Sequence, residues 1–459
     1  MGRAYGRLGE DSTSFQYLKK TLRISEKIGD LREKGEVLNI LANIALDKGD
    51  IPGADRYLEE SYRIMEEIGC HSGLACAVNN LGRVSAYRGH FSQALKHFSK
   101  SLDIFKEIGE DQMMAICMAN LGDAYFYQDD YSQALEYYND AHRVSVRIGD
   151  RVEEARHYHY FGLIALRQAQ YSRALKYLKK SLTIWRALGY AVEASSGAIH
   201  SAFGEVYLRL SRYPEALHSF KEAKEILKKC SNDWDLAWAR LGFAEVCLEL
   251  RREKEAEEEA REALLISHRV KSDSLKGFAL QTLGEVYRSF GKVGKAKQCC
   301  ESSLRLLGKT GERFGTGKIY RSLGCIMRDK GCDLTETRNL YEKSKKIFEE
   351  LKSSHELGKT LLEYGIFCFN NDYGEEALDA LVTAERTLKE LKAEHDLARC
   401  YLELGRIYVE RDRKIAKTYL LKAEKIFNKI GIRHYRREAL NEIQELENRK
   451  LKVEEGYGD

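Results

Sequence analysis

Residues 121–150 read LGDAYFYQDDYSQALEYYNDAHRVSVRIGD. Apolar and small side chains recur three and four residues apart in two segments of this stretch. They are Leu121, Ala124 and Tyr125 in the first segment, and Tyr131, Ala134, Leu135 and Tyr138 in the second. This spacing places them on one face of an α-helix. The residues between them, Gln-Asp-Asp at 128–130, are typical of a turn and a helix cap. The stretch therefore predicts two helices joined by a tight turn, a helical hairpin.

The hairpin repeats along the chain at a spacing of 40 residues, with slips of two residues before Gly204 and one before Gly365. The column that marks the repeat is Gly2, Ala42, Gly82, Gly122, Gly162, Gly204, Ala244, Gly284, Gly324, Gly365 and Gly405. Two more columns of small residues follow in the same register. Small residues at fixed positions let antiparallel helices approach closely, because a Tyr or Leu of the neighbouring helix fills the notch. The sequence predicts an all-α fold, a right-handed superhelical solenoid of tandem helical hairpins.

The repeats have predicted boundaries along the whole chain. Complete units are expected at 31–69, 72–109, 112–149, 152–189, 194–231, 234–270, 274–310, 314–352, 355–392 and 395–431. A partial unit is expected at 1–29, since Gly2 falls in the middle of a first helix, so the sequence is either a fragment of a longer protein or begins with a degenerate cap. A polar capping helix at 433–450 and a disordered tail at 451–459 complete the prediction.

Composition restricts the classes of function. The chain has 75 Lys and Arg against 71 Asp and Glu, a formal charge of +4, which does not favour a general nucleic-acid binder. No apolar run approaches the roughly 20 residues of a membrane span. The 11 cysteines are an odd number without a Cys-x-x-Cys pair, which favours reduced thiols and a cytoplasmic location.

The columns resemble the tetratricopeptide repeat, in which a Leu-Gly step is followed by an aromatic residue and then by a small residue that leads the second helix. Leu121-Gly122, Tyr125 and Ala134 carry this likeness. A unit of 40 residues is longer than the usual 34. It is similar to the long-repeat subclass found in spindle-orienting adaptor scaffolds and in sensor arms of bacterial signalling ATPases and transcription activators.

The ends of the repeats show where the likeness weakens. Early repeats end in Ile-Gly, as at Ile148-Gly149, but the ending disappears after Leu188-Gly189 and returns only at Ile430-Gly431. We expect this departure to affect the detailed superposition of the second half, and not its fold.

We find no catalytic motif in the sequence. Gly308-Lys309-Thr310 looks like the end of a nucleotide P-loop, but no strand precedes it and the upstream glycine is missing. His157 and His159 are two residues apart, so on a helix they diverge and do not share a metal. The expectation is a protein that is not an enzyme and that has no cofactor and no metal site.

The resemblance implies that the first helix of each hairpin lines an inner groove. Its groove-facing positions are Asn39, Asn43, Asn79, Arg83, Asp123 and Arg156 in the early repeats, and Arg288, Lys318, Arg321, Arg328, Lys359, Arg399 and Arg406 in the late repeats. The early set is rich in amides, for which we see little structural use on this face. The late set is basic, and we expect it to carry an excess of positive charge.

These features predict a protein–protein interaction scaffold that binds a partner peptide or helix in its concave groove. The amides would bond the partner backbone, and the late basic set would pair with an acidic segment. A solvated face of no particular function is the alternative interpretation of the same charges. The alternative function is a regulatory or sensor arm of a larger signalling ATPase, kinase or transcription activator. The sequence leaves the oligomeric state open.

Overall fold

The computed structural model describes residues 11–47, 50–189, 192–331 and 333–455. Within these ranges the chain forms 22 α-helices and no strand. They are α1 (Asp11–Ile28), α2 (Leu31–Asp47), α3 (Ile51–Glu67), α4 (His71–Tyr87), α5 (Phe91–Ile108), α6 (Asp111–Tyr127), α7 (Tyr131–Ile148), α8 (Arg151–Arg167), α9 (Tyr171–Leu188), α10 (Val192–Arg209), α11 (Tyr213–Lys229), α12 (Asp233–Glu249), α13 (Glu253–Arg269), α14 (Asp273–Ser289), α15 (Val293–Thr310), α16 (Arg313–Lys330), α17 (Leu334–Glu350), α18 (Ser354–Phe369), α19 (Gly374–Glu390), α20 (Glu394–Tyr408), α21 (Arg413–Ile430) and α22 (Arg433–Glu455). The predicted all-α solenoid of tandem hairpins is confirmed. The even-numbered helices α2–α22 are the inner helices, and the odd-numbered ones are the outer helices.

The small-residue columns mark the contacts inside each hairpin. A Cβ added to Gly122 on α6 would lie 2.8 Å from the Tyr138 ring on α7, so the ring occupies the space that a side chain would need. The third column uses its hydroxyl group as well: Ser101 on α5 donates to the Ala75 carbonyl on α4 at 2.8 Å, and Ser181 on α9 does the same to Ala155 on α8 at 2.7 Å. The hairpins are thus held by close packing, and those with a serine in the third column also by a buried hydrogen bond to the inner helix.

The loops between hairpins keep the same backbone conformation in repeats that lack the Ile-Gly ending. Gly109 and Gly149 end their helices in the left-handed region at φ 79° and 73°, where glycine has no steric penalty. The equivalent positions in later repeats are Lys271, Lys352 and Lys392, which adopt the same conformation at φ 53° to 56°. The backbone keeps its path although the sequence signature is gone, at about 1 kcal/mol for each such residue.

The two ends of the chain depart from the predicted boundaries. The marker Gly2 lies outside the described residues. At the other end α22 continues to Glu455, so the first part of the predicted tail belongs to the helix, and residues 456–459 lie outside the description.

The solenoid winds until its second turn touches its first. We call α2–α11 the first turn and α12–α22 the second turn. Four hydrogen bonds join residues 184 to 186 positions apart, between four and five repeats. They link Asp129 Oδ2 with the Phe314 amide (2.5 Å), Ser353 Oγ with the Arg167 carbonyl (3.4 Å), Tyr171 Oη with His355 Nδ1 (2.7 Å), and Ser211 Oγ with the His395 amide (2.9 Å). The loops inside first-turn hairpins therefore pack on the joints between second-turn hairpins, and the inner helices surround a narrow channel.

Candidate functional site

The early amide positions form a ladder from one inner helix to the next. Asn43 on α2 accepts from Arg83 on α4 at 2.7 Å, and Asn79 on α4 accepts from Asn120 on α6 at 3.0 Å. Asn79 and Asn120 are both buried. Our expectation that such amides have little structural use is wrong, because each one satisfies a polar group of the next repeat inside the apolar stack.

The ladder continues through Arg156 on α8, which donates to Asn120 at 2.9 Å and to Asp123 at 2.8 Å. The Asp123 carboxylate also accepts from the Tyr138 hydroxyl at 2.5 Å. Asn39 stands apart: its amide nitrogen lies 3.4 Å from the Gly73 carbonyl, while its buried Oδ1 has no hydrogen-bond partner in the described residues. The structure therefore brings most of the early positions together as partners of one another.

The late basic positions are paired with carboxylates of the same inner face. The ion pairs are Arg288 with Glu285 (3.0 Å) and Asp329 (3.2 Å), Lys318 with Glu245 (2.7 Å), Arg321 with Glu356 (2.6 Å), Arg328 and Arg399 with Glu363 (2.7 Å each), and Arg406 with Glu403 (2.8 Å), Glu438 (2.6 Å) and Glu442 (2.8 Å). The sequence predicted an excess of positive charge along this set, and six of its seven residues are paired with carboxylates of the chain itself. Only Lys359 differs, as described below.

The groove-facing positions that the resemblance implies do not include these carboxylates. Glu356 lies three residues before the predicted position Lys359, and Glu363 lies four residues after it. A signal was present in the spacing: Arg321 and Glu356 are 35 residues apart, and Glu363 and Arg399 are 36 apart. A basic and an acidic residue nearly one repeat apart on inner helices predict an ion pair between neighbouring repeats.

The side chains of these ion pairs are largely buried, and the carboxylates keep their charge in spite of the burial. Burial alone would raise the pKa of Glu356, but Arg321 and Arg209 outweigh it and hold that pKa well below its usual range. The same balance, with Arg399 and Arg328 as the cations, holds the pKa of Glu363 well below its usual range. Both carboxylates remain ionised at any physiological pH, and the ladder keeps its charges.

A cavity of about 360 Å³ lies in the channel where seven inner helices, α10 to α22, converge. Eight basic residues line it: Arg209, Arg251, Arg288, Lys318, Arg321, Arg328, Lys359 and Arg399. The acidic residues of the lining are Glu245, Glu249, Glu285 and Glu363. Two further carboxylates, Glu356 and Asp396, lie close to the Lys359 ammonium. Counting these two and Asp329, which pairs with Arg288, eight basic residues face seven carboxylates, so the positive excess of the cavity is small.

Lys359 is the lysine of this lining whose charge has no direct partner. Its ammonium makes no hydrogen bond within 3.5 Å and no ion pair within 4.0 Å in the described chain. Burial lowers its pKa, but the surrounding carboxylates Asp396, Glu249 and Glu356 raise it by more, so the net pKa lies above the ordinary value. Lys359 therefore carries a full positive charge that is available to an incoming group.

A second polar cluster, which the sequence did not reveal, joins the two turns. The Tyr171 hydroxyl bonds His355 Nδ1 at 2.7 Å, and His355 Nε2 lies 3.0 Å from Asp396 Oδ2. A hydroxyl, an imidazole and a carboxylate in line resemble a nucleophile with its base and orienting group. Here all three are buried, at 5–6% exposure, and burial raises the pKa of Tyr171 above its usual range. The cluster is a link between the two turns.

His157 and His159, the two histidines considered above as metal ligands, both lie on α8. Burial lowers the pKa of His157 to about 3 and that of His159 to about 4, so both are neutral at physiological pH. Nowhere in the described ranges do three or more His, Cys, Asp or Glu form a group that could hold a metal ion. No helix in the described part of the chain has the length and apolar character needed to cross a bilayer.

The chain is similar in sequence to one known repeat family. The family model for the tetratricopeptide repeat matches residues 73–145, 114–187 and 195–266. The 43 kDa receptor-associated protein of the synapse from Tetronarce californica is 26% identical over 138 residues, which is 29% of this chain and 34% of that protein. The match thus spans about a third of the length of this curated relative.

Two solved structures share the fold at low identity. A Rap protein complexed with competence and sporulation factor has a TM-score of 0.55 at 12% identity, covering 82% of this chain and 99% of that one. The Rap conjugation gene regulator of plasmid pLS20, in complex with the Phr* peptide, has a TM-score of 0.50 at 13% identity, covering 76% and 97%. The narrower likeness to spindle-orienting adaptors and bacterial sensor arms stays a prediction. The repeat columns, the hairpins and the family model agree that residues 73–187 and 195–266 of this chain are tetratricopeptide repeats.

Proposed function

We propose that this chain is a protein–protein interaction scaffold that acts by binding, and that its second-turn channel takes a short extended segment of a partner. The repeat family supports the first part, since stacked hairpins commonly present a concave binding surface. Two proteins of the same fold were solved with competence and sporulation factor and with the Phr* peptide. The cavity volume of about 360 Å³ falls in the range of 300–1,000 Å³ that is common for ligand sites.

The width of the channel favours an extended segment over a helix. Lys318 on α16 reaches Glu245 on α12 at 2.7 Å, passing over the intervening inner helix α14. Arg209 on α10 approaches Glu356 on α18 to 3.9 Å from the other turn. A helix is about 10–12 Å wide with its side chains, more than a passage already bridged by pairs of side chains can admit. An extended chain offers one side chain or one terminus at a time, which suits this cavity.

The observation that carries the proposal is the unpaired ammonium of Lys359 inside a cavity whose other cations are engaged. A carboxylate of the partner, from an Asp, a Glu or a chain terminus, would give Lys359 its missing charge-assisted hydrogen bond. The acidic segment expected from the sequence is thereby reduced to one or two carboxylates, since the six paired cations have no charge to spare. Arg321 is unsuitable for a charge-reversal test of binding, because Arg321→Glu would place a second buried carboxylate beside Glu356.

The test is fluorescence anisotropy with a library of labelled tetrapeptides that carry either a free or an amidated carboxyl terminus. We expect acidic members to bind the wild type, with affinity that falls as salt rises. Lys359→Gln should weaken this binding at least about tenfold, one lost charge-assisted contact. The matched control is Lys309→Gln, an exposed lysine on the outer helix α15, which should bind as the wild type does. Binding that survives Lys359→Gln, or no binding by any member, would contradict the proposal.

The regulatory or sensor arm of a larger ATPase, kinase or transcription activator stays a prediction from the sequence. A scaffold and an arm would use the same channel, so the peptide experiment applies to both.

A further inference from the structure

The solenoid has two edges that fit each other. We call the loops between hairpins, with the adjoining helix ends, the joint edge, and the loops inside hairpins the turn edge. Where the second turn packs on the first, the joint edge of the second turn meets the turn edge of the first. The side chains at this meeting are buried: Leu351 on the joint edge is 7% exposed, and Tyr171 and Tyr213 on the turn edge are 5% and 2% exposed.

Each kind of edge also occurs once where no other part of the described chain covers it. The joint edge of the first turn exposes the apolar residues at the repeat positions that the second turn covers: Ile28 is 70%, Ile108 41% and Ile148 40% exposed. The turn edge of the second turn likewise exposes Leu334 at 43% and Tyr373 at 41%. Rows of exposed aliphatic and aromatic side chains at repeat-equivalent places are typical of contact surfaces.

The polar groups of the two open edges are complementary in the same way as those of the closed interface. In the closed interface Asp129, a turn-edge residue at φ 61°, accepts a hydrogen bond from the amide of Phe314 at the start of an inner helix. Asp372 occupies the equivalent place on the open turn edge at φ 62° and is exposed, and its carboxylate makes no hydrogen bond or ion pair in the described residues. On the open joint edge the inner helices α4 and α6 begin without a side-chain cap. A free acceptor on one edge therefore matches free helix amides on the other.

We propose that a second copy of this chain docks head to tail, its open turn edge on the open joint edge of the first copy. The occupant follows from continuity: the chain already contains this interface once, formed by the same repeat positions. Because the two edges are different surfaces, the contact is heterologous, and the docked pair keeps one open joint edge and one open turn edge. The products are linear stacks that extend the superhelix, and their mean length grows with protein concentration.

Two double variants test the proposal, and each introduces two negative charges that should prevent docking at one edge. Ile108→Asp with Ile148→Asp charges the joint edge, and Leu334→Asp with Tyr373→Asp charges the turn edge. All four residues are about 40% exposed, so both variants are expected to keep the wild-type helical spectrum and melting temperature. The matched control is Leu265→Asp with Leu421→Asp, which charges two exposed residues on the outer helices α13 and α21 away from both edges.

Sedimentation velocity over a hundredfold range of concentration is the measurement. The wild type and the control should show a weight-average mass that rises with concentration, and each edge variant alone should remain a monomer. An equimolar mixture of the two edge variants retains one good joint edge and one good turn edge, so it should form dimers and nothing larger.

Three outcomes would overturn the proposal. A wild type that stays monomeric throughout leaves these edges for another occupant, such as a different protein. Association that only one of the edge variants abolishes indicates a symmetric pair. A mixture that stays monomeric shows that the two edges do not bind each other.

Discussion

The inner helices of the first turn begin at loops that face solvent, whereas the inner helices α12 to α20 of the second turn begin against the first turn. In the first turn α2 and α8 are capped by their own chain, since Asp30 and Asp150 accept from amides three residues ahead. In the second turn the residues before α18 and α20, Ser353 and Ala393, provide no side-chain cap. For α20 a hydroxyl from the first turn, on Ser211, accepts from the helix start instead. The comparison shows that a capping group can come from more than four repeats away.

The polar ladders of the two turns differ in chemistry. The first turn joins its inner helices largely through amides and through arginines bonded to them, Arg83 and Arg156. The second turn uses buried ion pairs such as those around Glu363. A buried amide pair is neutral and tolerant of loss, but a buried ion pair leaves an uncompensated charge when one partner is removed. The second turn should therefore be the more fragile of the two toward polar substitutions.

Glu363→Ala is expected to have the largest effect, a loss of about 3–5 kcal/mol of unfolding free energy, because Arg328 and Arg399 would stay buried without their shared carboxylate. In the first turn Asp123→Ala should lose only about 1–3 kcal/mol, since Arg156 retains Asn120 and Glu153.

Urea denaturation followed by circular dichroism would measure both changes. The control is Glu375→Ala, whose carboxylate pairs with Arg411 while 87% exposed, and which should stay within about 0.5 kcal/mol of the wild type. Equal losses for Glu363→Ala and Asp123→Ala would remove the difference between the two ladders.

The contact between the turns should weaken as pH rises, through Glu312. Burial, with the nearby Asp129 carboxylate, raises the pKa of Glu312 to about 8, although its hydrogen bond from Ser274 and the Arg167 charge act in the opposite direction. The folded chain then holds a proton that the unfolded chain releases near pH 4.5. Stability contributed by this group is complete below pH 4.5 and is lost as pH rises toward 8, by an amount on the order of a few kcal/mol.

Glu312→Gln keeps an acceptor for Ser274 and removes the titration. The unfolding free energy of the variant minus that of the wild type, measured by urea denaturation at several pH values, should increase between pH 5 and 8 and level off above. A difference that stays constant over this range would show that Glu312 is ionised in the folded protein.

Tyr171→Phe is expected to have the smallest effect of the three, a loss of about 1–2 kcal/mol, because the buried His355 Nδ1 loses its partner between the turns. Tyr373→Phe is the matched control on the open turn edge, where the side chain is 41% exposed and should change stability by less than about 0.5 kcal/mol. Thermal melts of the two variants beside the wild type would measure both changes in stability. Equal melting temperatures for both variants would mean that the link between turns adds no stability.

Much of the fold was predictable because each hairpin obeys local rules. The turn at residues 128–130 and the start of α7 at Tyr131 follow from apolar spacing and a capping Asp130. The inner-face positions also followed from the repeat, and Asn79 and Arg321 do lie there. The spacing of nearly one repeat indicates Glu356 as a partner for Arg321, but the contact itself depends on how far one hairpin rotates relative to the next.

The repeat, its helices and the buried face of each helix follow from the sequence, because these features depend on side chains three to forty residues apart. The tertiary structure alone decided that Tyr171 meets His355, that Asp129 caps the helix at Phe314, and that the inner face closes into a channel around Lys359. Those contacts span 184 or 185 residues. They depend on the small rotation between neighbouring hairpins summed over more than four repeats, a quantity that no single repeat encodes visibly.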